Sequence, residues 1–285
     1  MINVLYHGPE CLDGFTAAWT VLIKHPNAIL YPIDYHQPCP VLGKGITYIL
    51  DFTFEDLEVT RGLIETQFQV IHYDHHATAQ PTTAVLEKEF GATGKYLSIW
   101  DPTRSGAGIT WDSLFSPSPR PKLINYVEDR DLWRFKYPNS HFFTEGLLTL
   151  NKTVENWNFA FGPKGRKLLI QIGKERLKDR QERCLKQVQN TTQWLELNLP
   201  DRSLAQIPVS AAAEKTDVSD QIDAMLTEFP DSKIVGCWTP IDEHTVKIRL
   251  GSREAGPDIA AVAELHGGGG HPHAASFHYE RSKLL

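Results

Sequence analysis

The chain is poor in cysteine, and the few cysteines it has are far apart. Its 285 residues include four, Cys11, Cys39, Cys184 and Cys237, and no two of them form a CxxC pair. This usage argues against a disulfide framework and against a zinc-finger spacing. It fits a reducing compartment, and we therefore expect a cytoplasmic protein.

Positive charge and long apolar runs are also scarce. The chain has 29 Lys and Arg against 35 Asp and Glu, a formal net charge of −6. Coating a long duplex requires many cationic contacts to phosphate, so we expect no long-duplex partner, whereas a short phosphate-bearing ligand remains compatible. No apolar run approaches the roughly 20 residues that span a bilayer. The segment "MINVLYHGPE" has no basic stretch followed by a long apolar one, so we expect no secretory signal and no membrane partner.

Short apolar runs alternate with helical patterns in the first half of the chain. This alternation predicts an α/β domain with a mainly parallel sheet over residues 1–150. The predicted strands cover 2–7, 28–35, 46–52, 69–75 and, more weakly, 95–101.

The pattern changes after residue 150. The segment "GRKLLIQIGKERLKDRQERCLKQVQN" (165–190) is rich in helix formers and contains no proline, which predicts one long charged helix within a helical linker over 151–199. The strand-like segments "KIVGCWTP" and "TVKIRL" and the helical "DQIDAMLTEF" follow. We therefore predict a smaller α/β domain over 200–285.

Histidine and aspartate side chains follow several predicted strands at the point where each strand ends. His7 ends the first strand, Asp51 the third and Asp74-His75-His76 the fourth, and Asp13 follows the first strand closely. Taken singly, His7 could be a packed histidine and Asp51 a helix cap. The carboxyl ends of parallel strands share one edge, however, and crowded carboxylates and imidazoles need a cation to neutralise them. A donor set without a thiolate requirement suits Mn²⁺.

These residues resemble the motifs of the DHH phosphoesterase family, in the family's order. The C-terminal "GGGGHPHAASF" (267–277) resembles the family's DHHA1 domain. The segments "YHGPECLDGF", "SGAG" and "EDRDLW" are similar to short DHH phosphohydrolases related to nanoRNases and cyclic-dinucleotide phosphodiesterases. The matching positions are His7, Cys11, Asp13, Gly14, Asp51, Asp74, His75, His76, Asp129 and, in the C-terminal domain, Arg249.

The resemblance implies a centre that holds two Mn²⁺ ions, with Mg²⁺ as the alternative. His7 would bind the first ion, and Asp51 would bridge the two. The ligands of the second ion would be Asp13, His75 and Asp129, with Asp131 as the alternate for Asp129. The usual first aspartate of the family is Cys11 here, a softer ligand that weakens the first site.

The resemblance also implies roles for the other two residues of the tripeptide. Asp74 would hold a histidine ring by its second nitrogen. His76 would contact the substrate phosphate, with metal ligation as the other role. Together with His75, these two residues form the expected catalytic group.

The glycine run "HGGGGH" resembles a flexible linker when it is read alone. The following "PHAASF" favours an ordered strand or turn, and consecutive glycines let backbone N–H groups approach an anionic ligand closely. The resemblance implies that Arg249 binds a phosphate in forked geometry and that the loop lies at the edge of a cleft between the domains. The expected substrate-binding residues of the loop are Gly268, Gly269, Gly270 and His271.

These observations predict a metal-dependent phosphodiesterase, a phosphohydrolase that converts short oligonucleotides or dinucleotides to mononucleotides by two-metal activation of water. One alternative is a phosphatase that acts on a nucleotide 3′-phosphate. Another is a non-catalytic nucleotide-binding module, and Cys11 is the feature that favours it. The sequence leaves open whether the chain forms a homodimer.

Overall fold

The computed structural model describes residues 1–212, 217–253 and 256–284. The chain divides into two compact units, Met1–Glu175 and Arg176–Leu285. The segment 151–199, predicted as a helical linker, holds two helices and the first strand of the second sheet.

The first unit is built on a five-stranded sheet in which all neighbouring strands are parallel. The strand order is β2-β1-β3-β4-β5, so β1, β3 and β4 are central. These three are buried over almost their whole length, as expected for strands covered on both faces. The strands are β1 (Ile2–His7), β2 (Ile29–Ile33), β3 (Ile46–Leu50), β4 (Gln69–Asp74) and β5 (Tyr96–Trp100).

Helices form two apolar layers around this sheet. One hydrophobic core contains the fully buried Trp19 and Trp157, and the other contains Leu5, Phe52 and Ile64. The predicted charged helix is confirmed as α8, which begins at a proline, a residue well suited to the first turn. The helices are α1 (Leu12–Lys24), α2 (Leu57–Thr66), α3 (Ala79–Phe90), α4 (Gly106–Phe115), α5 (Lys122–Asp131), α6 (Ser140–Leu147), α7 (Val154–Phe161) and α8 (Pro163–Thr191).

The second unit contains a six-stranded mixed sheet, order β10-β11-β9-β8-β7-β6, in which β7 and β8 are parallel and the other pairs antiparallel. Besides the part of α8 from Arg176 onward, it contains the helices α9 (Val218–Glu228) and α10 (Ile259–Leu265). The strands are β6 (Gln193–Asn198), β7 (Leu204–Ala211), β8 (Ile234–Pro240), β9 (Thr245–Ser252), β10 (Gly269–His271) and β11 (Ala274–Glu280).

The last two glycines of the run, Gly269 and Gly270, belong to this sheet, so the run is not a linker. Gly270 pairs with Ala275 in β11 and has a φ of 152°, which other residues rarely adopt. A Cβ atom there would lie 2.5 Å from the carbonyl oxygen of Ala274. Glycine is therefore required for the close approach of the two strands.

The predicted fold class is confirmed: an α/β unit with a parallel sheet is followed by a smaller α/β unit. No helix in the described part of the chain combines the length and the apolar character that a membrane span requires.

Candidate metal centre

The carboxyl ends of the three central strands deliver the predicted side chains to one edge of the parallel sheet. His7 is the last residue of β1, Asp51 directly follows β3, and Asp74 is the last residue of β4. The amide of Asp51 donates to the carbonyl of Tyr73 at 2.9 Å, which continues the ladder between β3 and β4 past the end of the strand. The sheet thus fixes the positions of these residues.

Three groups of side chains within the described residues could each hold a cation. In each group the nitrogen, oxygen or sulfur donor atoms lie within 4.8 Å of one another. The groups share members, since Asp51 belongs to the first two and His75 to the last two. They are His7, Cys11 and Asp51; Asp51, His75 and His76; and Asp13, His75 and Asp131.

Asp51 lies at the centre of this arrangement and is only 1% exposed. Its Oδ1 is 3.1 Å from Nε2 of His75, and its Oδ2 accepts from Sγ of Cys11 at 3.2 Å. Its φ of 57° is left-handed, a conformation uncommon for residues other than glycine and often found at functional sites. Both carboxylate oxygens therefore face candidate ligands, as a bridging carboxylate requires.

His7 has a buried ring nitrogen, Nδ1, that has no hydrogen-bond partner among the described residues. This atom lies 3.6 Å from Oδ2 of Asp51, too far for a hydrogen bond. Leaving a buried polar atom unpaired costs free energy, and imidazole nitrogens are common metal ligands. The orphaned nitrogen fits a divalent cation between these two side chains.

The acidic residues of the centre crowd one another. Burial raises the pKa of Asp13 well above its ordinary range, and the charges of Asp51 and Asp131 add to the effect. Burial, together with Asp51, raises the pKa of Asp131 to about 6. The carboxylates repel one another, and Mn²⁺ or Mg²⁺ bound among them would neutralise their negative charge. Carboxylate oxygens and imidazole nitrogens are suitable ligands for these cations.

A proton on His75 partly neutralises the centre in the absence of metal. Burial lowers the pKa of this imidazole, but the hydrogen bond to Asp51 and the charge of Asp13 outweigh it and raise the pKa to about 9. Burial tends to raise the pKa of Asp51, but His7 and His75 outweigh this effect and lower the pKa below its ordinary range. A cation that binds here has to displace the proton of His75.

Asp74 fixes the orientation of His76. Its Oδ1 lies 2.8 Å from Nδ1 of the His76 ring and accepts from the backbone amides of His75 and His76. Its Oδ2 accepts from Oγ1 of Thr53 at 2.6 Å. The hydrogen bond to Asp74 raises the pKa of His76. The His76 side chain is 36% exposed, so the ring is held at one nitrogen and is accessible to solvent.

The structure does not bring Asp129 to this centre. Its carboxylate accepts from the backbone amides of Lys136 and Tyr137, both at 3.0 Å, and from the hydroxyl of Ser140. Asp131, the alternate, has its Oδ2 3.4 Å from Nε2 of His75. Among the described residues, the candidate group around Asp13 and His75 therefore contains Asp131, while the oxygens of Asp129 accept hydrogen bonds elsewhere; the ligand role of Asp129 stays a prediction.

Cys11 lies in the centre as a thiol. It caps α1 by accepting from the amide of Gly14 at 3.3 Å, and it donates to Asp51. Burial raises the pKa of the thiol, and the charges of Asp51 and Asp13 raise it further. A protonated sulfur is a poor ligand for Mn²⁺.

The segment "SGAG" supports the centre, a role that the sequence reasoning did not assign. The amide of Ala107, in the first turn of α4, donates to Oδ1 of Asp13 at 3.1 Å. A Cβ atom on Gly106 would lie 2.7 Å from Cβ of Asp51 and 2.9 Å from Oδ2 of Asp13. The signal in the sequence was a cluster of small residues directly before a helical pattern, which indicates a close approach of the backbone.

A small cavity opens beside the acidic residues. It has a volume of about 160 Å³ and is lined in part by Cys11, Asp13, Arg130 and Asp131. Arg130 thus brings a guanidinium group to the same space as two candidate metal ligands. The sequence reasoning did not single out this arginine.

In the second unit, a cavity of about 310 Å³ is lined in part by Arg249, Gly269, Gly270 and His273. Nη1 of Arg249 donates to Oγ1 of Thr239 at 2.8 Å. The other two predicted substrate contacts, Gly268 and His271, are not among the residues that line this cavity. The substrate-binding role of all five residues predicted in this unit stays a prediction, and His273 is a lining residue that was missed.

Comparison with known proteins gives a likeness at the level of fold. No family model matches the chain. The uncharacterized protein R106 of Acanthamoeba polyphaga mimivirus is 24% identical over 98% of this chain and 68% of that protein. The pGpG-specific phosphodiesterase PggH from Vibrio cholerae has a TM-score of 0.53 at 14% identity, over 99% of this chain and 94% of that one. The chain has a DHH-type fold.

The DHH-type fold agrees with the resemblance seen in the sequence. RecJ from Thermus thermophilus, solved with Mn²⁺, is also similar, with 14% identity over 99% of this chain and 50% of that one. Its TM-score is 0.45. In this chain, the side chains around Asp51 are what indicates a metal centre.

Proposed function

We propose that the chain is a metal-dependent phosphodiesterase that hydrolyses short oligonucleotides or dinucleotides to mononucleotides. The observation that carries the proposal is the continuous group of carboxylate and imidazole donors around Asp51, which includes Nδ1 of His7, a buried atom with no hydrogen bond to any described residue. The net charge of −6 is in keeping with a short substrate.

Two divalent cations, Mn²⁺ or alternatively Mg²⁺, fit the donor groups. His7 and Asp51 would hold one of them, and Asp13, His75 and Asp131 the other, with Asp51 shared. Bound there, such cations lower the pKa of water and neutralise charge on a phosphoryl group.

His76 is suited to act on the substrate phosphate. Asp74 forms a hydrogen bond with Nδ1 of His76 and raises the pKa of the ring, which favours the form protonated on both Nδ1 and Nε2. That N–H can donate to a phosphate oxygen and can protonate a departing alkoxide. We propose phosphate contact and proton donation for His76, with Asp74 as the residue that positions it.

Arg249 and the glycine strand are proposed to bind a phosphate of the nucleotide. The guanidinium lines the same cavity as Gly269 and Gly270, and a planar fork of donors suits a phosphate group. A dinucleotide substrate also agrees with the pGpG-specific phosphodiesterase activity of PggH, a protein of similar fold.

The proposal is tested with a panel of substrates and Mn²⁺. It should contain the dinucleotide pApA, short RNA, short DNA, a cyclic dinucleotide and 3′-phosphoadenosine 5′-phosphate, with the products separated by chromatography. We expect Mn²⁺-dependent release of mononucleotides. Release of phosphate from the 3′-phosphate alone would favour the phosphatase, and binding without turnover of any substrate would favour the non-catalytic module.

The substitution Asp51→Asn tests whether the metal centre is required for turnover. Asparagine tolerates the left-handed backbone of this position and keeps the size of the side chain, so the fold should persist. Loss of the charge should abolish turnover. Full activity in this variant would contradict the central role of Asp51.

A further inference from the structure

The segment that follows the metal centre alternates cationic and aromatic side chains. It contains Arg130, Trp133, Arg134, Phe135 and Lys136, and the proposed function uses none of them. We propose that Trp133 is a stacking platform for a nucleobase of the substrate, on the nucleoside next to the phosphate bound at the metal centre. The inference rests on the proposed function, whose substrate contacts it extends.

Trp133 is 70% exposed, an unusual position for the largest apolar side chain. Its ring contacts Phe135 edge to face, with centroids 4.8 Å apart, and Phe135 in turn packs on His141. The indole is therefore supported from one side while most of its surface is open to a ligand.

The backbone of this loop is held in a conformation that its residues disfavour. Trp133 has a φ of 53° and Phe135 a φ of 46°, both left-handed. Such strain persists only where the surroundings impose it, and it concentrates at functional sites. Burial of the indole does not compensate for it here, since the ring remains exposed.

Asp129 is the residue that imposes this conformation. Its carbonyl accepts from the amides of Arg134 and Phe135, at 2.8 and 3.3 Å. Its carboxylate accepts from the amides of Lys136 and Tyr137. One buried aspartate thus binds four consecutive amides and fixes the loop that presents Trp133.

The platform lies next to the candidate metal centre along the chain. Asp131, two residues before Trp133, contacts His75, and Arg130 lines the cavity shared with Asp13 and Asp131. Stacking of a base on an aromatic ring, flanked by cations that follow the phosphates, is how proteins hold short single strands without strong sequence preference.

The test is equilibrium binding of a product and of its base-free counterpart to the full chain with Mn²⁺. We expect wild-type protein to bind adenosine 5′-monophosphate about tenfold more tightly than ribose 5-phosphate, the effect of one stacked base. Trp133→Ala should remove most of this preference, and Trp133→Phe should keep part of it. The matched control is Trp194→Ala, since Trp194 is 57% exposed, lies in β6 and packs on Phe229; this variant should behave as wild type.

Several outcomes would overturn the inference. One is equal binding of both ligands by wild-type protein, and another is a full preference for the ligand with a base in Trp133→Ala. An equal decrease of the affinity for both ligands in Trp133→Ala would also contradict the inference. A change in oligomeric state of Trp133→Ala with unchanged ligand binding would assign the indole to a protein contact instead. Base-dependent binding without turnover of any dinucleotide would contradict the proposed function alone, and turnover without base dependence would contradict the platform alone.

Discussion

Asp129 and Asp131 are two residues apart, and we expect their replacement by asparagine to change the stability of the metal-free protein in opposite directions. The folded-state pKa of Asp131 is about 6, against an ordinary 3.8. The charged carboxylate is therefore destabilising above pH 6, and because solvent reaches the side chain, which is 25% exposed, screening reduces the cost to about 1–2 kcal/mol. Asp131→Asn should increase the free energy of unfolding by up to this amount at pH 7.5.

The pH dependence follows from the same shift. A raised carboxyl pKa means that the folded state binds more protons than the unfolded state between about pH 4 and 6, so stability falls as pH rises through this window. The gain from Asp131→Asn should thus shrink as pH falls from 6 towards 4. The measurement is urea unfolding in the presence of a chelator, at pH 7.5 and at pH 5.

Asp129→Asn should destabilise the protein with or without metal. The carboxylate accepts from two amides and a hydroxyl, and asparagine offers one acceptor oxygen and an NH₂ group that faces a donor. At least one charge-assisted bond is lost and a buried donor is left unpaired, a cost of about 2–4 kcal/mol.

Metal binding separates the two variants further. Mn²⁺ should raise the melting temperature of wild-type protein and of Asp129→Asn by similar amounts, and of Asp131→Asn by less, because only Asp131 lies among the candidate ligands. The reasoning is refuted if Asp131→Asn lowers the stability of the metal-free protein at pH 7.5. It is also refuted if Asp129→Asn abolishes the effect of Mn²⁺ while the metal-free stability is unchanged.

Three further substitutions test the neighbourhood of the centre. Gly106→Ala should lower turnover at least about tenfold and the stability by about 1–3 kcal/mol, measured by kinetics and urea unfolding, because the new Cβ atom would lie 2.7 Å from Cβ of Asp51. Cys11→Asp should bind Mn²⁺ more tightly in a calorimetric titration, since a carboxylate is the harder ligand, and unchanged affinity would place Cys11 outside the centre. Asp74→Asn should return the pKa of His76, followed by NMR, towards its ordinary value, because the hydrogen bond that raises it is weakened; an unchanged titration would contradict the positioning role.

Much of the centre could be predicted because it depends on strand ends. Apolar runs locate the strands, and the carboxyl ends of parallel strands lie at one edge. His7, Asp51 and Asp74 end or follow strands of the same sheet, so their proximity follows from the pattern. The resemblance to the DHH phosphoesterases added the order of the motifs, and the fold agrees with it.

The choice between Asp129 and Asp131 could not be made in this way. Both lie in the last turn of α5, where two residues differ by about 200° around the helix axis and so face opposite sides. The direction of each depends on how α5 packs against its neighbours. The same holds for Gly106, whose need for a bare backbone arises only where α4 meets Asp51 and Asp13.

The α/β class, the strand ends and the chemical type of the donors could be predicted because they follow from local periodicity and residue identity. Which of these side chains come into contact depends on how the elements pack. In the described part of the chain, packing places Asp131 beside His75, holds Asp129 in hydrogen bonds to the loop that presents Trp133, and leaves Nδ1 of His7 without a hydrogen bond. Such contacts join residues far apart in the chain, and their geometry depends on packing, which local sequence patterns do not encode.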